Sequence, residues 1–433
     1  MYLLLSLFII GRICMKEPKF KFIHCSDIHL NDLYYMNDIN QENDSKNKIK
    51  SFKTFDKLIS DAIAFDVDFI LISGDLINKN IYSLKAKKHI IEKFDHLKQF
   101  NINVYIIGGQ IDESKEVFWK EFNIPENVNY FSNSRTQVFP FIKKDKVVAN
   151  IFGISFNDSN PKENLSYMFT NKSNETFSIG MMYANIMEIN ENFKINPVSI
   201  DDLKNNTINY WAIGSEHTNN ILNADPYIVS SGSLSAHSLD DLGEKGYYLV
   251  EVKGKRILNI DFHPISNIIY ENLDIHINKL KNIEELKKVI DSNINNLINK
   301  YQNKYIFLNI ILKGKGYLHK HLNEQNVEKL FFEYKNLTKY SNSIINLINI
   351  ENETFPDLDF EMRKKTDDFI SRTIKIYENN KQNSKNYILK NIQNENSYKK
   401  IEKYLNYIKD DEFDKIYEKS LIKAFDYLGG EEY

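Results

Sequence analysis

Apolar and polar positions along the chain alternate in two periods. KFKFIHC (19–25) is a short β-rich run followed by polar loop residues. Ile49, Phe52, Phe55, Leu58, Ile59, Ala62 and Ile63 then recur at helical spacing. DFILIS (68–73) is continuously apolar and stops at Gly74, as a buried parallel strand does. A second helical stretch over 83–99 leads into another buried strand, VYII (104–107). Strands alternating with helices predict a sheet with helices on its faces, and such sheets gather function where strand carboxyl ends open into loops.

Further on the pattern turns to strands. VVANIFGISF (147–156), FSIGMMY (177–183), YWAIGS (210–215), YIVSSGSLS (227–235) and GYYLVEVKGKRILNIDFHPI (246–265) read as β, the last with a turn near Gly254. A domain over 15–265 is therefore expected to close with a second layer of strands. NIEELKKVIDSNINNLINKY (282–301), YIFLNIILKG (305–314) and a helix over about 322–336 predict a small α+β cap, 266–345. The remainder, 346–433, reads as charged and helical. Ile401, Tyr404, Leu405 and Ile408 form one apolar face, Phe413, Ile416, Tyr417, Leu421 and Phe425 another, and Gly429 and Gly430 end the last helix.

Composition changes this picture little. The 433 residues suffice for two or three domains, and 13% aromatic residues supply large side chains for a core. A net charge of −3, from 56 Lys and Arg against 59 Asp and Glu, excludes wrapping nucleic acid by overall charge. A local patch would have to do so, and the lysine-dense stretches 282–304 and 313–320 read either as that patch or as solvated faces. Two cysteines, Cys14 and Cys25, cannot make a disulfide framework and fit a reducing cytoplasm. MYLLLSLFII at the start is too short to span a bilayer and lacks a preceding positive charge. Residues 1–14 read as an extension outside the core, with Met15 opening the folded chain; a short membrane anchor is the other reading. No stable membrane association is expected.

Chemistry concentrates in four loops after predicted strands: Asp27-Ile28-His29, Gly74-Asp75, Gly109-Gln110-Ile111-Asp112 and Gly214-Ser215-Glu216-His217. Carboxylates and imidazoles collected at strand ends are how an α/β scaffold holds a divalent cation. Each dipeptide alone is as readily loop capping. His24 reads as a core histidine and Cys25 as a small buried residue; His237, His263, His319 and His321 read as surface or structural.

In their order, SDIH (26–29), SGDLI (73–77), VYIIGGQID (104–112), IGMMY (179–183) and YWAIGSEH (210–217) resemble the motifs of the calcineurin-like metallophosphoesterases. GEKGYYLVEV (243–252) and ILKGKGYLHKHL (311–322) resemble the DNA-repair exonuclease branch, SbcD/YhaO-like. The resemblance covers about 19–325. It implies an α/β fold, a two-layered β-sandwich flanked by helices, with a small α+β cap and a helical C-terminal region.

Carried over by position, the resemblance implies one divalent metal, with Mn²⁺ favoured, on Asp27, His29, Asp75 and His217. The second metal would need Asp75 with an asparagine and two histidines, and Gln110, Tyr183 and Ser215 stand there instead. Ile111 occupies the place of the catalytic histidine. Two metals clamp attacking and leaving oxygens together, and a positioned acid–base group is worth about 10²–10⁴-fold in rate. Metal-dependent cleavage of DNA is therefore expected to be weak or absent. The other reading is a non-catalytic scaffold for an SbcC-like ATPase or DNA; a small-molecule phosphodiesterase would need neither cap nor tail. The resemblance also implies docking of the C-terminal helices on a coiled-coil ATPase, homodimerisation, and phosphate contacts by Lys313, Lys315 and Lys320. Those helices read equally well as packing on their own domain. Glu216 and Asn185 are minor candidates to replace the missing ligands.

Overall fold

In the computed structural model, the described residues are 17–30, 33–35, 48–50, 52–81, 83–112, 123–157, 159, 162–170, 175–188, 195–335, 344–357, 362, 364–366, 369–393, 398 and 410–428. The N-terminal stretch 1–14, the apolar face of Ile401 to Ile408, and Gly429 and Gly430 lie outside them. The chain forms two compact units, 1–270 and 271–433.

In chain order the first unit contains β1 (Lys19–Cys25), β2 (Leu33–Tyr35), β3 (Lys48–Lys50), α1 (Phe52–Ala64), β4 (Phe69–Ser73), α2 (Leu84–Gln99), β5 (Asn103–Ile107) and β6 (Val128–Tyr130). It continues with β7 (Gln137–Lys143), β8 (Lys146–Ile154), β9 (Phe177–Tyr183), α3 (Ile200–Lys204), β10 (Tyr210–Gly214), β11 (Asn220–Ala224), β12 (Tyr227–Ser230), β13 (Gly246–Lys253) and β14 (Arg256–Pro264). Two six-stranded sheets result, ordered β14-β13-β1-β4-β5-β6 and β11-β12-β10-β9-β8-β7. In the first, β1, β4, β5 and β6 run parallel; in the second, β8, β9, β10 and β12 do.

The layering follows from strand alternation. Phe20, Phe22, Phe69, Leu71 and Tyr105 from the first sheet meet Ile151, Phe177, Ile179, Met181 and Tyr210 from the second. The opposite faces of the same strands turn outward: Ile23, Ile70, Ile72 and Val104 pack against Phe55, Leu58, Ile90 and Phe94 of α1 and α2. Beyond the second sheet, Met182, Trp211 and Ile213 pack against Leu165, Phe169 and Leu203. Strands buried on both faces need continuous apolar runs, which FILIS and YWAIG supply. The sequence reading carried 227–235 on as strand; β12 stops at Ser230, and the serines beyond it form the loop that borders the candidate site.

A three-stranded sheet ordered β15-β16-β17 belongs with the second unit: β15 (Ile268–His276), which begins just before the boundary, β16 (Tyr305–Lys315) and β17 (Ile344–Phe355). Helices α4 (Ile283–Lys300) and α5 (Glu324–Lys335) accompany it. The sequence reading ended this cap at 345, but β17 pairs in parallel with β16 and carries the sheet on to Phe355. The reading took 346 onward as helical, yet IINLINIENETF is a strand in which Ile345, Leu347 and Ile350 are buried. Helices α6 (Phe369–Lys381), α7 (Ser384–Ile392) and α8 (Asp410–Leu428) follow, joined by Phe413 and Tyr417, both buried, with Tyr417 stacked on Tyr377. Ile416 of the same predicted stripe is exposed. Among the described residues no helix is long and apolar enough to cross a membrane.

Candidate metal centre

The parallel strands bring their carboxyl ends to one edge, where the two sheets nearly touch. The Ser73 hydroxyl at the end of β4 donates to the carbonyl of Ala212 in β10. A Cβ on Gly214 would lie 1.7 Å from the Ser73 carbonyl oxygen, so only glycine allows this approach. Side chains on the loops from both sheets thus enter one space. Their backbone is bent to do so: Asp27, His29, Asp75 and Ser215 take φ of +48°, +46°, +52° and +83°. Left-handed non-glycine residues are uncommon, and here four of them border one site.

Asp27, His29 and His217 each offer a ligand atom, and these atoms lie within 4.8 Å of one another. Asp27 is fully buried, and its Oδ1 has no hydrogen-bond donor among the described residues. Its Oδ2 accepts from the Ser215 backbone N–H at 3.3 Å. A buried carboxylate oxygen without a donor costs free energy unless a cation or proton meets it. The His217 Nε2 is 3.8 Å from that oxygen, and the His29 Nε2 is 3.9 Å from Asp75 Oδ2. One carboxylate and two imidazoles, poised around an unsatisfied oxygen, fit a divalent cation of the Mn²⁺, Fe²⁺ or Zn²⁺ kind.

Asp75 differs from the other three. Its Oδ1 accepts from the Ile111 backbone N–H at 3.0 Å, and its Oδ2 accepts from the Tyr183 hydroxyl at 2.6 Å. Tyr183, the last residue of β9, is buried, and its ring lies so close to Gly74 that a Cβ there would sit 2.3 Å from the ring. The Tyr183 ring thus fills space beside Asp75. Ile111 is half-buried and Gln110 is exposed. The Ser215 hydroxyl accepts from the Asn185 amide at 3.1 Å.

Known proteins align with this architecture. The profile of the calcineurin-like phosphoesterases matches residues 20–223, the span from β1 into β11, which holds strands of both sheets but stops short of β12, β13 and β14. The chain contains a calcineurin-like phosphoesterase domain. Over 295 residues, 68% of this chain and 71% of the relative, it is 28% identical to the uncharacterized metallophosphoesterase YhaO of Bacillus subtilis. It is 27% identical over 317 residues to the DNA double-strand break repair protein Mre11 of Sulfurisphaera tokodaii, covering 69% and 74% of the two chains. The Mre11 of Sulfolobus acidocaldarius is 25% identical over 344 residues, 75% and 83% of the chains.

Several further residues of the first unit support these ligands; Asp112 and Lys245 stand in the motifs VYIIGGQID and GEKGYYLVEV, Asp241 in none. Asp241 Oδ1 binds His217 Nδ1 at 2.7 Å, and Asp241 Oδ2 accepts from the His237 backbone N–H at 2.8 Å. The buried Lys245 ammonium donates to the His217 carbonyl at 2.8 Å. A carboxylate behind a histidine fixes its ring and leaves Nε2 to face the site. Asp112 pins its own loop, Oδ2 accepting from Gly109 N–H and Oδ1 from Ile77 N–H.

The electrostatics follow from crowding acids in a dry pocket. Burial, with the Asp75 charge adding to it, raises Asp27 to about 6 against the pull of His217 and His29. Burial and the same Asp75 charge raise Asp112 to about 7. Burial works against charge on His217, but the Asp241 hydrogen bond and the Asp27 charge outweigh it and lift His217 to about 9. Burial holds the Tyr183 hydroxyl well above its ordinary value, so it remains a donor to Asp75.

Of the other residues weighed from sequence, His24 is buried and its Nδ1 lies 3.0 Å from the Tyr210 hydroxyl; Cys25 is a buried free thiol. Glu216 accepts from Ile186 N–H and the Asn185 amide. In the second unit, Lys313 pairs with Asp274 at 2.6 Å and the Lys320 ammonium lies 3.9 Å from the centroid of the Tyr317 ring. Lys315 ends β16, exposed.

Proposed function

We propose that the protein is a DNA-repair exonuclease-like metallophosphoesterase working with a single divalent cation, Mn²⁺ for preference, and therefore cleaving phosphodiesters slowly or not at all. The observation that carries this reading is the asymmetry around Asp75. Asp27, His29 and His217 gather beside an unsatisfied carboxylate oxygen, while the Asp75 oxygen that faces His29, Oδ2, is already held by the Tyr183 hydroxyl. In this reading Asp27, His29 and His217 hold the cation, with Asp75 Oδ2 3.9 Å from His29 Nε2. Such a cation polarises a phosphoryl oxygen and acidifies a bound water. Asp241 keeps His217 in the ligating tautomer through Nδ1. Tyr183, Gln110 and Ser215 leave the second cation without ligands, and Ile111 offers neither a proton nor a charge to the leaving oxygen.

The relatives named for DNA double-strand break repair support DNA as the substrate or partner. The helices α6 and α8 expose Phe369, Ile376 and Ile416, which supports docking on a coiled-coil ATPase of the SbcC kind. Lys313, Lys315 and Lys320 are the candidates for phosphate contacts; Lys313 is paired with Asp274. Homodimerisation and a cytoplasmic setting go with the same reading.

A second reading, a non-catalytic scaffold for that ATPase or for DNA, is favoured by the isoleucine at position 111. Mn²⁺-dependent cleavage of single- and double-stranded DNA, beside Asp75→Asn, separates the two. Slow cleavage that disappears in the variant is the expected outcome and supports the enzyme. Folded protein that cuts no faster than its variant, yet still binds DNA or the ATPase, would establish the scaffold.

A further inference from the structure

The phosphoesterase domain carries a third imidazole at the metal centre, one that no motif announces. The His237 ring centroid lies 4.4 Å from that of His29, the rings inclined by 55°. It lies 6.5 Å from the centroid of His217. Both partners are among the gathered ligands, and His237 stands beside them without belonging to the trio whose atoms converge within 4.8 Å.

Its position is built, not incidental. The loop that carries it is stitched to the end of β1 next to Asp27. The Ser26 hydroxyl bonds the Ser231 hydroxyl at 2.9 Å and donates to the Gly232 carbonyl at 3.1 Å. The Leu234 N–H donates to the Ser26 carbonyl at 3.2 Å. The Asp241 carboxylate completes the arrangement, one oxygen on His217 and the other on the His237 backbone. A single side chain therefore sets both a ligand and its neighbour, and a shift of one moves the other. His237 is half-buried, while Asp27 is sealed.

Ile111, which the resemblance puts in the place of the family's catalytic histidine, has a side chain that can make no hydrogen bond. A phosphate group held at a cation on Asp27, His29 and His217 would find no side-chain donor there. From this juxtaposition we infer that His237 binds the phosphate of the ligand, its ring N–H donating to a phosphoryl oxygen beside the cation. His237 is thus a substrate-contacting residue that stands on the loop after β12, not on the loop after β5. The inference rests on the single-cation reading above. It concerns binding and involves no covalent step.

Calorimetric titration of the full chain tests it, first with Mn²⁺ and then with inorganic phosphate added to the Mn²⁺-loaded protein, for wild type, His237→Gln and His237→Ala. The expected result is unchanged Mn²⁺ stoichiometry and affinity in both variants, which also shows that the site is folded. Phosphate affinity is expected to fall by about tenfold or more, the worth of one hydrogen bond to a charged group. Phosphate binding equal to wild type would overturn the inference, as would a loss of Mn²⁺ affinity, which would make His237 a ligand instead. Mn²⁺ binding without any phosphate binding in wild type would overturn it too. Failure of wild type to bind Mn²⁺ at all would sink the underlying single-cation reading, and is told apart from the others at the first titration.

Discussion

At the scale of the residue, Tyr183 decides how Asp75 is used. Its hydroxyl is buried and its partner is a carboxylate, so Tyr183→Phe leaves an oxygen without its donor. Denaturant unfolding of the metal-free protein should show a loss of about 1–3 kcal/mol. His24 gives a second expectation. Burial pushes it down to about 3 from an ordinary 6.5, so between those values the unfolded chain binds one proton more than the folded chain. Stability from this residue is complete above pH 6.5 and declines as pH falls towards 3, by about 1.4 kcal/mol per unit. His24→Gln should flatten that slope in urea melts taken across the window. Asp27, His29 and His217 could be named because they stand on loops directly after apolar strands, at the positions that the family resemblance marks. Asp241 and His237 could not, because a long loop returns them to the site and nothing local in SAHSLDDLGEKG marks where it lands.

At the scale of the element, legibility tracked burial. FILIS, FSIGMMY and YWAIG are buried along their whole length, and their apolar runs announce them. Edge strands are half solvated and carry mixed text: β7 shows QVFPFIK and β11 shows NILNA, neither of which reads as strand alone. β17 hid behind its asparagines for the same reason. Where the two sheets meet, sequence names a glycine but not its purpose. Gly214→Ala forces a methyl group into the Ser73 carbonyl, 1.7 Å away, where backbone faces backbone and neither strand can yield. A loss of about 3 kcal/mol or more is expected, measured as a lowered midpoint in thermal unfolding.

At the scale of the whole molecule, the two units invite separate measurement. The gathered ligands lie entirely within 1–270, so a cation should stabilise that unit alone. Calorimetric scans with Mn²⁺ at a hundredfold its dissociation constant should raise the transition of the first unit by about 2.7 kcal/mol, and chelator should reverse it. The transition of 271–433 should stay where it was. Division into a sandwich, a small sheet and a helical tail was legible from the switch between helical and strand periods. The end of the small sheet was not, because β17 gives no compositional warning.

The left-handed backbone at Asp27, His29, Asp75 and Ser215 has a further consequence. Each such residue holds of order 1 kcal/mol of strain or more, and at all four positions glycine would remove it. The rim of the centre is therefore a part of this unit where sequence and stability are poorly reconciled. An engineer seeking a hardier protein would begin at Ser215, whose side chain is not among the gathered ligands, and would leave the other three alone. The tension at the rim is the mark of a place shaped for something other than staying folded.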